Sequence, residues 1–166
     1  MKRTKWVFAL LVFLTSILAI STAFAAEDED ISNLRTATAK FHRTKAAQAA
    51  GYHLVPGLDH CFSNPGVGAM GYHYINPSIL DLTVEELKPE AMVYVPGPHG
   101  KLQLGAVEFI VPAQAWDEAG NSEPPTALGR SFHLNQALGV YVLHAWIWKH
   151  NPSGMFEDWN PKVSCP

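Results

Sequence analysis

The run Val140-Tyr141-Val142-Leu143-His144-Ala145-Trp146-Ile147-Trp148 constrains the fold more than any other segment, because it is the longest apolar stretch after residue 25. Read with the two-residue period of a strand, it places Val140, Val142, His144, Trp146 and Trp148 on one face and Tyr141, Leu143, Ala145 and Ile147 on the other. Both faces are apolar. The pattern therefore predicts a central strand covered on both sides, with His144 inside.

The chain opens with Lys2, Arg3 and Lys5, an apolar run from Trp6 to Ile20, and Ala23-Phe24-Ala25, the spacing of a signal-peptidase site. Residues 1–25 are read as a signal peptide, and 26–166 as one domain of ordinary size, secreted or periplasmic, without a transmembrane anchor after cleavage. Cleavage removes three basic residues and moves the formal charge from −3 to −6. An acidic surface is a poor partner for phosphate backbones, so nucleic acid is discounted. Cys61 and Cys165 are the only cysteines, and in an exported chain such a pair predicts one disulfide.

Acidic residues 27–30 precede an alanine-rich helix expected over about 31–50, with Leu34, Ala37 and Phe41 on one stripe and Gly51 at its cap. Residues 55–68 read as loop. Residues 69–76 read as a strand with His73 among small neighbours, and 91–95 and 102–111 as a hairpin around Pro96-Gly97-Pro98-His99-Gly100. Thr83 and Glu86 have capping-box spacing, which predicts a helical turn before Pro89. Residues 112–131 read as a long loop, and the tail after Trp148 as irregular. The expected fold is α+β: one N-terminal helix on a curved antiparallel sheet of about four or five strands. A homodimer is one way to cover the second face.

In the strand over 102–111, Glu108 is in phase with Leu102, Leu104, Ala106 and Ile110. A carboxylate on an apolar face needs a hydrogen-bonding, cationic or metal partner, or else a proton. His144 and His73 are the candidates, and two histidines with one carboxylate form a ligand set for zinc, iron or copper. His133 is a possible fourth nitrogen donor. If the site is catalytic, Glu108 and His144 are the expected acid–base pair. The competing reading, a secreted binding or interaction domain, makes the His/Glu pair structural and gives function to the long loop or to an aromatic face, with Tyr72, Tyr74, Trp146 and Trp148 as the lining of a pocket.

Gly71-Tyr72-His73-Tyr74-Ile75-Asn76, Gly105-Ala106-Val107-Glu108-Phe109-Ile110-Val111-Pro112 and the ending from Leu143-His144-Ala145-Trp146 through Asn151-Pro152-Ser153-Gly154 to Trp159-Asn160-Pro161 are distinctive. In these segments the chain resembles a group of uncharacterised secreted bacterial proteins. The resemblance spans nearly all of residues 26–166 and implies export and a single small domain. It brings no activity, cofactor or site residue.

Overall fold

The computed structural model describes residues 28–166; residues 1–25, read above as a signal peptide, lie outside them. Helix α1 (28–38) runs into a 3-10 turn, Ala39–His42, and a separate short helix α2, Thr44–Ala49, follows. The single helix expected over 31–50 is thus broken, and it lies within the chain rather than at its N-terminus. The break has a tertiary cause. The Phe41 carbonyl accepts from the Tyr94 hydroxyl at 2.6 Å instead of from the backbone, and Arg43 turns extended. Gly51 caps α2 as expected: at φ +95° it lets Tyr52 N–H donate to Ala47 and Gly51 N–H to Gln48, a Schellman closure.

The sheet is antiparallel throughout and has seven strands, more than the four or five expected. The strands are β1 (His53–Leu54), β2 (Phe62–Asn64), β3 (Gly68–Ile75), β4 (Ala91–Pro96), β5 (Leu102–Pro112), β8 (His133–Asn135) and β9 (Val140–Ala145). Their order is β1-β3-β4-β5-β9-β8, with β2 also pairing with β3. The additional strands are two or three residues long, too short to carry a period of their own. The expected β4–β5 hairpin is present, with His99 exposed at its tip.

Two further expectations are corrected. The loop over 112–131 contains helix α3, Ala113–Glu118, and a small hairpin, β6 (Thr126–Ala127) with β7 (Arg130–Ser131). Residues 83–86 close no capping box, since the Glu86 carboxylate accepts from Leu128 N–H at 2.6 Å, and what precedes Pro89 is one non-helical turn in which Lys88 N–H donates to the Glu85 carbonyl at 2.8 Å.

β9 is central, between β5 and β8. It ends at Ala145, earlier than the apolar run, because Trp146 N–H donates to Met155 and Trp148 N–H to Gly105. The helices cover one face: Leu34, Phe41 and Tyr52 pack with Met92, Val107, Phe109 and Leu143. Arg35 Nε donates to the Ile147 carbonyl at 2.9 Å and Trp148 Nε1 to Thr38 Oγ1 at 3.2 Å, fastening the helix to the segment that follows β9. Gly71 permits a close approach, since a Cβ there would strike the Tyr94 carbonyl.

The expected disulfide joins Cys61 to Cys165. Among the described residues no helix is long and apolar enough to cross a membrane.

Glu90, 3% exposed, accepts from Ile110 N–H at 2.9 Å through Oε2. Burial pushes its pKa up to about 7, against that hydrogen bond. A carboxyl with a raised folded pKa binds its proton more tightly when folded, so its contribution to stability falls as pH rises from about 4.5 to about 7. Glu90→Gln should remove a loss on the order of 1–3 kcal/mol across that window. Parallel urea melts at pH 5 and 7 test this: an equal pH dependence in both proteins would refute it.

Candidate functional site

Residues opposite one another in an antiparallel ladder point to the same side, and the register of the sheet builds the site on the face away from the helices. Glu108 on β5 is paired with both Ala91 on β4 and His144 on β9. His73 on β3 is paired with Val93, and Val93 with Ala106. Strands about 4.8 Å apart place β3 and β9, three steps apart, roughly 14 Å from each other. Two imidazoles bridge that gap only where the sheet curls toward this face and the residues between are small. Ala91, Val93 and Ala106 meet the second condition.

The side chains converge. His73 Nε2 lies 3.1 Å from His144 Nε2 and 3.5 Å from Glu108 Oε2, while Glu108 Oε1 lies 3.3 Å from His144 Nδ1. His73, Glu108 and His144 are 6%, 7% and 1% exposed. One donor atom from each falls within 4.8 Å of the other two.

Asp158 joins from the tail, its Oδ1 3.3 Å from His144 Nδ1. The tail is irregular but fixed. Trp146 Nε1 donates to the Glu157 carbonyl at 2.6 Å, and Asn151 Nδ2 donates to the Glu157 and Trp159 carbonyls at 3.2 Å each, which clamps the backbone on both sides of Asp158. His133, the expected fourth nitrogen donor, is not among the converging three. Its Nε2 lies 3.1 Å from Asp158 Oδ2 and its side chain is half exposed, one carboxylate removed from the cluster.

The charge states follow from burial and contact. Burial, then the charge on His144, lowers the His73 pKa to about 3, so its ring is neutral. Burial also pulls His144 down, but Glu108 and Asp158 together outweigh it and hold His144 above the ordinary histidine value. Burial raises Glu108 despite His144; in Asp158 the contact with His144 overcomes burial and lowers the pKa.

Without a metal, the Nε2 atoms of His144 and His73 share one hydrogen bond of 3.1 Å. That state is incompletely satisfied. His73 Nδ1, His144 Nδ1 and Asp158 Oδ1 are buried without an aligned hydrogen bond.

The three residues also line a cavity of about 330 Å³. Val55, Leu58 and Phe62 form one wall, and Pro77 and Leu80 another. The Phe62 ring meets His73 edge-on at 5.2 Å. Sequence patterning identified His73, Glu108 and His144 but missed Asp158 and the cavity walls, which lie on segments without a period. The aromatic lining expected for a pocket is largely absent here: Tyr74 packs with the helices and Trp146 with Val93 and Val163. No family model, curated protein or solved structure matches this chain.

Proposed function

We propose that the protein is an exported domain that binds a divalent first-row transition ion, zinc, iron or copper, through His73, Glu108 and His144. The observation that carries this reading is the facing pair of imidazole Nε2 atoms, 3.1 Å apart and buried, with a carboxylate oxygen 3.5 Å from one of them. At metal–nitrogen distances of about 2.0–2.1 Å, two donors at that spacing subtend about 100° at the metal, within the range of tetrahedral and octahedral sites. All three donors border the cavity, so a molecule entering it can complete the coordination sphere. Bound there, the ion supplies a Lewis acid or redox centre.

Metal analysis of untagged protein, followed by titration of chelator-stripped protein with zinc, iron(II) and copper(II), tests the proposal. One ion per chain is expected for at least one metal, and no stoichiometric binding of any would refute it. Asp158 has the position of an outer carboxylate that orients a ligating histidine. Asp158→Asn should weaken metal binding by about 10–100-fold without unfolding the protein; unchanged affinity would remove that role.

A second reading has its own support. His144 lies within 3.3 Å of two carboxylates, an arrangement that can serve as a buried ion pair in a metal-free binding domain.

A further inference from the structure

The cavity has a polar end and a hydrocarbon end. On one side of the His/Glu row the sheet face is filled, by Trp146 with Val93, Ala106 and Val163. On the other it continues as Ile110 and Val142, flanked by Ile75, Leu80 and Val140, and all five line the cavity. From residue 144 to residue 140 the floor runs about 13 Å along β9.

Water is a poor occupant of that length. At roughly 30 Å³ per molecule, about 330 Å³ would hold about eleven waters, each needing two or more polar partners. Away from the polar end, the lining among the described residues offers only Asn135, whose Oδ1 already accepts from Leu138 N–H at 3.2 Å. Charge narrows the occupant further. Among the described residues no lysine or arginine lines the cavity, and the carboxylates of Glu108 and Asp158 each already contact His144 at 3.3 Å. An anionic head group would lie beside two carboxylates with no cationic lysine or arginine to pair it, and a cationic one would have to displace His144 from contacts it already makes.

We infer that the cavity binds an uncharged small molecule of about nine to fifteen non-hydrogen atoms carrying one hydroxyl or carbonyl oxygen. The oxygen sits at His73, Glu108 and His144, and the hydrocarbon part lies along Ile75, Ile110 and Val142. The inference rests on the proposed metal site only for what holds the oxygen.

The test is calorimetric titration of the purified protein with 1-octanol, octanoate and octylammonium, with metal content measured in the same sample. The expected result is one octanol per chain, bound roughly tenfold or more tightly than either ion. Leu58→Trp and Leu80→Trp, two part-exposed wall positions on separate loops, should each fill the cavity and weaken octanol binding at least about tenfold, leaving metal content and circular dichroism unchanged. Absence of octanol binding by the folded protein overturns the inference, as does a preference for either ion or undiminished binding in both folded variants. Octanol binding without metal supports it while refuting the metal proposal; metal binding without octanol does the reverse.

Discussion

Glu108→Gln should lower metal affinity by at least about 100-fold, more than the loss expected of an outer-sphere residue, while the metal-free protein stays folded. The carboxylate is the only anionic donor among the three, and an amide in its place is a far weaker ligand for zinc, iron or copper. Its structural duties are easier to replace. Gln keeps the shape of Glu within the β5 face, and His144 keeps Asp158 at 3.3 Å as a counter-charge. The opposite pattern marks a purely structural pair. If Glu108 serves only to neutralise His144 and fix the β5–β9 register, the substitution should cost about 3–5 kcal/mol. There would then be no stoichiometric metal to lose. Metal titration and urea melts on the same two proteins separate the cases, and a large stability loss with no metal binding in the wild type would overturn the metal reading.

The phase argument singled out Glu108 and His144 because each lies on a strand long enough to show a two-residue period. On β5, however, the period breaks at the irregularity opposite Val93 and Tyr94, so that Leu102 and Leu104, expected on the face of Glu108, pack in the helix-side core instead. β5 has eleven residues and β9 six, and the register then pairs the two directly. His73 was legible for the same reason, within the eight residues of β3. That it meets His144 was not, because contact across three strands depends on sheet curl and on the small residues between. Asp158 has no period to read, since carbonyl contacts from Trp146 and Asn151 position it. The strands β1, β2 and β8 escaped for a related reason: two or three residues form a strand only when a longer neighbour supplies the ladder. Helix propensity reads correctly through α1, which tightens into the 3-10 turn Ala39–His42, where a tertiary contact, the Tyr94 hydroxyl on the Phe41 carbonyl, overrides it.

Reduction of Cys61–Cys165 should produce the largest stability loss of any single chemical change and disturb the site as well. The bridge spans a sequence separation of 104 residues. For a loop of that size the chain-entropy account gives about 4.7 kcal/mol, an upper figure once residual order in the unfolded chain is allowed for. A loss of about 3–5 kcal/mol corresponds to a fall in Tm of about 10–15 °C for a domain of this length. The effect on the site follows from what the two cysteines hold. Cys61 precedes Phe62, which packs on His73 and walls the cavity, and Cys165 ends the tail that carries Asp158. The tail has other anchors: Asn160 exchanges backbone hydrogen bonds with Ala69, and Val163 is buried. Reduction should therefore loosen the Phe62 wall and the Asp158 contact without opening the sheet. Metal affinity should fall by no more than the about 10–100-fold expected of Asp158→Asn, because the three ligands stay on their strands. Melting with and without reductant, with metal affinity measured below both transitions, checks both parts. A reduced protein with unchanged Tm would show that the loop constraint contributes little, and complete loss of metal on reduction would show that the tail holds the ligands rather than orienting one of them.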